Sequence, residues 1–560
     1  MRLASRARDG DVSTVRHTGP IRWTRVSRRL LRVVAPAVAA IAALAVTAMP
    51  ALGQRPMRIL LIPLDDRPPC LQFPVRLGEI GGAEVVTPPR ALLGRFTRFG
   101  QPDLIVDWIK QQDLGSFDAA VVSLDMLAYG GLVASRVGSS ATTEIALARL
   151  ESVRALRRAM PRIPIYGSSV IMRLAPTADG TNEQYRVALA RWAALSSAAR
   201  DTAAGADAAV LRRQIPDSVL AAYGAARRRN LAVNEAAVAM TGDRTLDFLI
   251  VSQDDASPTG VHVAERERLL ATIRSGGLSD RVALHPGADE ASMLLLARAF
   301  ARRHRRSPRV LPVFSSRADA DRPMPFEDQP LRETVRRQLA AAGGTEVADA
   351  ATAELLLFVY TSRSERNGAQ EFAERIGRAE KPAIVVDIDP KGDVQGADSV
   401  FLELLIHERR FARVVGYAAW NTAGNAIGTA VAQGIIRTVA ATGGRGRAAA
   451  SGKVETAQRW FLLDRLLDDY IYRIRVRPGA LALIRSRGWN PLRLDSAATA
   501  TVEQWATPVM RAEADRLAAV LGPTRSGAPA CRLGSRLTLM LPWGRTFEPE
   551  LDFALDCTPR

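Results

Sequence analysis

The chain has 560 residues, 47% of them apolar and 24% charged, with a formal net charge of +18. That balance supplies enough apolar material for a sizeable core, so disorder is not the default reading. The positive charge is almost all arginine, lysine standing only at 110, 381, 391 and 453, and no basic run is interleaved with aromatic residues, so nucleic acid is not an expected partner.

Residues 1–53 carry nine arginines against Asp9 and Asp11. Within them "SRRLLRVV" leads into "APAVAAIAALAVTAMPALGQ". A basic stretch, an apolar stretch and a small-residue end at Ala51 and Gly53 read as a secretory signal over 1–53, cleaved before Gln54. The expected location is therefore periplasmic or extracellular. The apolar stretch approaches the ~20 residues that span a bilayer, so an uncleaved anchor is the alternative. That segment is the only expected contact with a membrane. Pro36, Pro50 and the alanine content favour cleavage.

From Met57 onward, short apolar runs end in polar or Gly/Pro residues and are followed by helix-like stretches. The runs cover 58–64, 119–124, 163–171, 247–252, 281–285, 309–314, 354–360, 382–388 and 413–420. Continuous apolar runs without alternation predict parallel strands covered on both faces. Amphipathic spacing predicts helices over 143–159, 182–200, 264–274, 289–303 and 330–341. The fold class expected is α/β over residues 54–440. Two architectures fit nine strands: a (β/α)-barrel-like parallel sheet with helices outside, or two doubly wound lobes. No G-x-G-x-x-G follows the first strand, so a dinucleotide site is not expected and the barrel-like arrangement is preferred.

Residues 441–453, "ATGGRGRAAASGK", read as a linker. Residues 454–560 are expected to form a smaller helical/β piece: an amphipathic helix in "ETAQRWFLLDRLLDDYIYRIRV" and a pair of strands in "RLTLMLPWGRTFEPELDFAL". Cys531 and Cys557 lie in this piece and are the candidate disulfide in an exported protein, leaving Cys70 over.

Acids recur just past the predicted strand ends: Asp65 and Asp66 in "PLDDRP", Asp125 in "SLDMLAYGGL", Asp254 and Asp255 in "SQDDASPTG", Asp289 and Glu290 in "HPGADE", and Asp387 and Asp389 in "VVDIDPKGD". In parallel α/β folds those ends share one face, where sites are assembled from several loops. Each such Asp also suits a helix N-cap or a turn. Arg67 follows the first acidic pair and is placed to neutralise it. Tyr129 precedes a Gly-Gly turn, and "YAAWNTAGN" offers Trp420, Asn421 and Asn425 as an aromatic platform with amide donors, which suits a sugar ring or equally a packed core. His285 is the one histidine at a strand end with acids nearby. No H-E-x-x-H, G-x-S-x-G or P-loop is present.

The segments "IPLDDRPPC", "SLDMLAYGGLVASR", "VIMRLAPT", "RRRNLAVNEAAV", "FLIVSQDDASPTGVHVAERERL", "LHPGADEASMLLLAR", "YAAWNTAGNAIGTAVAQ" and "LPWGRTFE" resemble, in this order, the bacterial family called domain of unknown function 4127. The resemblance runs from about residue 57 to 435, with further pieces near 459–475 and 540–550. One departure is Gln395, where the family usually has Asn. The resemblance implies which stretches form a unit and carries no activity.

The function expected from the residues is that of an exported glycoside hydrolase acting on a cell-wall or environmental glycan, with N-acetylhexosamine units as one form. Asp254 and Asp255 are the catalytic candidates, by analogy with substrate-assisted hexosaminidases, in which one Asp orients the acetamido nucleophile and the next protonates the leaving oxygen. Asp65, Asp66, Arg67, Asp125, Tyr129, His285, Asp289, Glu290, Trp420, Asn421 and Asn425 are expected to bind the glycan or another small polar substrate. No cofactor is expected. A divalent metal held by Asp65, Asp66, Asp125, Asp254 or Asp289 with His285 is the alternative route to hydrolysis, and a carbohydrate-binding protein without catalysis is the third reading.

Overall fold

The computed structural model describes residues 55–138, 140–196, 202–363, 366–393, 395–407, 410–441, 448–521 and 530–558. The expected signal segment and residues 442–447 of the expected linker lie outside these residues, whereas Ala441 ends one helix and 448–453 open the next. Each of the nine apolar runs forms a strand. In chain order the strands are β1 (Met57–Ile62), β2 (Ala83–Val86), β3 (Ala119–Ser123), β4 (Ile165–Ile171), β5 (Phe248–Gln253), β6 (Val282–Pro286), β7 (Arg309–Phe314), β8 (Thr345–Glu346), β9 (Leu355–Tyr360), β10 (Ala383–Asp387), β11 (Val414–Ala418), β12 (Ala530–Met540) and β13 (Glu550–Thr558). The helices used below are α1 (Gln72–Ile80), α2 (Leu124–Tyr129), α3 (Thr143–Ala159), α4 (Asp217–Gly242), α5 (His262–Ser275), α6 (Ala291–Arg303), α7 (Leu331–Ala341), α8 (Ala423–Ala441), α9 (Ala448–Leu466) and α10 (Ser496–Val520), with a π-helix over Leu467–Val476.

The class is α/β, with parallel sheets flanked by helices and a small antiparallel C-terminal sheet. The strands are hydrogen-bonded as two sheets. One has six strands in the order β2-β1-β3-β4-β5-β6 and the other five in the order β11-β10-β9-β7-β8, and every pairing within them is parallel. Read from β8, the second sheet repeats the order of the first five strands of the first. In each, the chain reverses direction across the sheet after its second strand, which creates a topological switch point between the first and third strands. Ligands of doubly wound sheets bind outside the strand C-terminal ends at such a point.

Alternate residues of the first sheet serve two different cores, which is why its runs are continuously apolar. Ile59, Leu61, Val121 and Ile250 face the large core shared with α1, α6 and the second sheet, whereas Leu60, Ile62, Val122 and Leu249 face a core built with α3 and α4. Burying each such side chain contributes roughly 1.5–3 kcal/mol. The C-terminal piece packs on the same large core through Trp460, Phe461, Leu463 and Phe553. Its strands β12 and β13 pair antiparallel and are joined by a disulfide between the facing residues Cys531 and Cys557, while Cys70 is free and buried.

The π-helix replaces the end of the long helix expected over 455–476. Its wider register lets the Asp469 carbonyl accept from the Ala397 amide at 2.8 Å, and the Asp469 side chain accepts from the Ala419 amide beyond β11 at 2.6 Å. Arg465 sits beneath it, bonded to Asp464, Asp468 and Asp469 and stacked 3.9 Å from the Phe73 ring. This buried charge network ties the C-terminal piece to both sheets.

No helix among the described residues is long and apolar enough to cross a membrane.

Candidate functional site

The loop after β1 carries the first acids inward. Asp65, Asp66 and Arg67 are all buried, and they divide their work. Arg67 donates from Nε and Nη2 to Asp65, at 3.0 and 2.7 Å to Oδ2, and from Nη2 and Nη1 to Asp289 at 2.7 and 3.1 Å. A planar guanidinium with two donor edges suits two carboxylates at once. Burial opposes charge on Arg67, but Asp289, Asp65 and Glu548 outweigh it and raise its pKa. Asp66 points elsewhere. It accepts the Trp543 indole N–H at 2.6 Å and the Arg90 Nε at 3.3 Å.

Asp125 follows β3 in the first turn of α2, whose N-cap Ser123 accepts from the Met126 amide. Its Oδ2 accepts the Val170 amide of β4 at 3.0 Å, and Oδ1 has no hydrogen-bond partner among the described residues. Burial pushes its pKa up to about 7, with a contribution from Asp254. Tyr129 closes α2 as a buried ring 4.6 Å beneath the Arg229 guanidinium. The turn after it requires glycine: Gly130 has φ +94°, and a Cβ there would meet the Gly100 backbone at 2.6–2.8 Å. That turn sends the chain on to Arg136.

Asp254 and Asp255 follow β5. Adjacent carboxylates repel, and here each has its own arginine. Arg136 donates to Asp254 and, at 2.8 Å, to Thr177, whereas Arg173, just beyond β4, donates to Asp255 at 2.7 Å. Asp255 has φ +45°, an uncommon conformation for a residue other than glycine. The two acids differ in access: the Asp254 side chain is 11% exposed and that of Asp255 is 35% exposed. Burial nevertheless raises the Asp255 pKa, helped by the Asp254 charge and opposed by Arg173 and Arg136.

A segment of the C-terminal piece completes this rim. Trp543, itself in the left-handed region, stacks on Phe96 and lies under both Arg67 and Arg545, each about 4.9 Å or less from its ring. Glu548 is 3% exposed, and neither carboxylate oxygen has a hydrogen-bond partner among the described residues. The guanidiniums of Arg67 and Arg545 each stand 3.9 Å from it. Burial pushes the Glu548 pKa up to about 7 against the pull of those arginines. Arg545 is lowered to about 10 by burial and by Arg67, Arg173 and Arg136 together. Arg67, Arg136, Arg173 and Arg545 thus stand with Asp65, Asp125, Asp254, Asp255, Asp289 and Glu548 beyond the C-terminal ends of the first sheet's strands.

The remaining expected residues form a second buried group at the seam of α6, α7 and α8. Glu290 accepts from Asn425 at 2.8 Å and from Gln338 at 3.0 Å, and burial pushes its pKa up to about 8. A Cβ on Gly287 would strike its carboxyl at 2.1 Å, so the glycine makes room for it. Asn421 and Thr422 both donate to the Asn425 amide oxygen. His285 is wholly buried, with Nδ1 2.9 Å from the Pro286 carbonyl oxygen, and burial lowers its pKa to about 4. Trp420 is 1% exposed and donates its indole N–H to Thr429 at 3.1 Å, a packed ring rather than an open platform. Asp387 binds Arg363 in the second sheet.

The structure thus brings Asp65, Arg67 and Asp289 into direct contact, sets Asp125, Asp254 and Asp255 beside them, and assigns His285, Glu290, Asn421 and Asn425 to the seam. Among the described residues no group of three or more His, Cys, Asp or Glu side chains is arranged to hold a metal ion. Sequence reasoning passed over Arg136, Arg173, Trp543, Arg545 and Glu548. All five stand in strand-end or C-terminal motifs of the family pattern, "GGLVASR", "IMRLAP" and "LPWGRTFE", so the signal was an arginine or acid inside an already singled-out motif.

The family model described as "Protein of unknown function (DUF4127)" matches residues 59–552. A comparison with curated proteins gives no match. The chain belongs to the DUF4127 family.

Proposed function

We propose that this DUF4127 protein is an exported hydrolase of the glycosidase kind, acting on a cell-wall or environmental glycan, with Asp255 as proton donor and Asp254 as the fixed anion beside it. The single observation that carries the reading is the asymmetry of that pair. Asp254 is paired with Arg136 and 11% exposed, while Asp255 is 35% exposed and still buried enough for its pKa to be raised. A carboxyl whose surroundings raise its pKa suits a proton donor, and a neighbour held by an arginine suits the orienting role. In the substrate-assisted form, the acetamido oxygen of the sugar attacks the anomeric carbon while Asp255 gives its proton to the departing glycosidic oxygen. Water then opens the intermediate with Asp255 taking the proton back, and Asp254 orients and stabilises the acetamido group throughout.

Three further features support the reading. The pair follows β5 on the C-terminal face of the sheet, the face on which doubly wound sheets bind ligands. The surrounding carboxylates and arginines offer many hydrogen bonds to hydroxyl groups. The Cys531–Cys557 disulfide suits an oxidising compartment, in line with the signal-like segment at 1–53.

The test is a panel of aryl glycosides that includes N-acetylhexosaminides, assayed with wild type, Asp255→Asn and Asp254→Asn. Turnover by wild type, lowered about 10²-fold or more in Asp255→Asn, is expected. Absence of wild-type turnover across the panel overturns the reading.

A further inference from the structure

At the opposite end of the same strands, the amino ends of β4, β5 and β6, lies a cavity of about 860 Å³. The six residues of β5 separate it from Asp254 by roughly 20 Å. Phe248, Leu270, Ile273 and Leu284 are among its apolar lining, and β6 borders it as the last strand of the sheet. Its walls come from the ends of α5, α6 and α7 and carry arginines 274, 298, 302, 306, 336 and 337.

Those arginines are not all neutralised. Arg306 pairs with Glu354, and Arg336 and Arg337 share Glu333. Of the carboxylates lining the cavity, Asp247 is taken by Arg157, leaving Asp280. No carboxylate pairs with Arg274, Arg298 or Arg302 among the described residues. Arg298 lies 3.5 Å from the Phe248 ring and donates to the Ala340 and Ala341 carbonyls, which answers the negative end of α7. Arg274 and Arg302 remain exposed in the last turns of their helices. A second, independent feature lies inside the cavity. Tyr166 is 1% exposed, yet its hydroxyl has no hydrogen-bond partner among the described residues. A buried hydroxyl without a partner costs about 1–3 kcal/mol, a cost that a bound acceptor removes.

We propose that this cavity binds a small organic anion, its apolar body on Phe248, Leu270 and Ile273 and its doubly charged oxyanion head held by Arg274, Arg302 and the Tyr166 hydroxyl. The cavity falls within the usual range of about 300–1,000 Å³ for small-molecule sites, and guanidiniums recognise phosphate and paired carboxylates alike. The site is independent of the rim and of the hydrolase reading.

The test is calorimetric titration of the full chain at fixed ionic strength with phenyl phosphate, phthalate, inorganic phosphate and benzyl alcohol. Saturable binding of phenyl phosphate or phthalate is expected, about tenfold or more tighter than inorganic phosphate, with none for benzyl alcohol. Which of the two binds better tells a phosphate head from a dicarboxylate one. Arg302→Gln and Arg274→Gln, both exposed and tolerant positions for folding, are each expected to weaken binding about tenfold, and Tyr166→Phe severalfold. Arg173→Gln on the rim is expected to leave it unchanged. No saturable binding by either anion, binding indifferent to Arg274 and Arg302, or binding lost in Arg173→Gln overturns the proposal.

Discussion

Arg67 and Asp289 meet across 222 positions of sequence, two guanidinium nitrogens reaching the two carboxylate oxygens at 2.7 and 3.1 Å. The same guanidinium holds Asp65 on its other edge. Arg67→Ala therefore leaves two buried carboxylates without their cation. Such a loss costs about 3–5 kcal/mol. Denaturant melts are expected to show a fall of that size, and a change under about 1 kcal/mol would contradict the arrangement.

The raised pKa of Asp255 sets the direction of a pH profile. If Asp255 is the proton donor, turnover falls as pH rises through its pKa, so the alkaline limb lies above the usual carboxylate range. Asp254→Asn removes a like charge and lowers that pKa. The limb is expected to move to lower pH in this variant, beside any loss of rate. Initial rates across pH decide the matter, and a limb that stays in place separates Asp255 from the proton transfer.

Glu290 makes a stability prediction of opposite sign to the ordinary surface acid. Its folded pKa of about 8 stands above the usual carboxylate value of 4.5. The folded protein therefore holds the proton where the unfolded chain has lost it. The stabilisation is fully present below about pH 4.5 and is lost as pH rises to about 8. Thermal melts of wild type are expected to fall over that window, with Asp125 and Glu548 contributing up to about pH 7. In Glu290→Gln the slope is expected to flatten, by an amount equivalent to a few kcal/mol across the window at most. The readout is the slope, and an unchanged slope removes Glu290 from the account.

The disulfide closes 26 residues between Cys531 and Cys557. A loop of that size is worth about 3–4 kcal/mol in the chain-entropy description. Cys531→Ser with Cys557→Ser is expected to lower stability by about that amount or less. Reductant should destabilise wild type and leave the double variant unaffected, and equal melts with and without reductant would show that the bond adds nothing.

Much of the fold is legible in the residues, because apolar runs covered on both faces have a plain signature. The long runs at 58–64, 119–124 and 382–388 became β1, β3 and β10. β2 and β8, with four and two residues, fall below what periodicity resolves. Pairing is not written in periodicity at all. Nine strands in a row are compatible with a ring or with two sheets, and the choice rests on helix packing such as that of α6 against α8 in the shared core. In the site, the acids stood out as pairs after strands. Arg136 and Arg173 did not, because this arginine-rich chain offers too many candidates for any single one to be informative. His285 and Glu290 looked like rim residues by position in sequence, yet both are buried, Glu290 bonded by Asn425 of α8 and His285 turned to the Pro286 carbonyl.

Trp543 caps Asp66 across 477 residues. A ribosome adding roughly 5–20 residues each second needs on the order of a minute to cover that distance. For all of that time the β1 loop exists without the indole, without Arg545 and without Glu548. The rim is thus among the last parts that the nascent polypeptide finishes, and shortened products of translation or proteolysis that retain the first sheet intact would still lack the Trp543 ring and the buried Glu548 carboxyl.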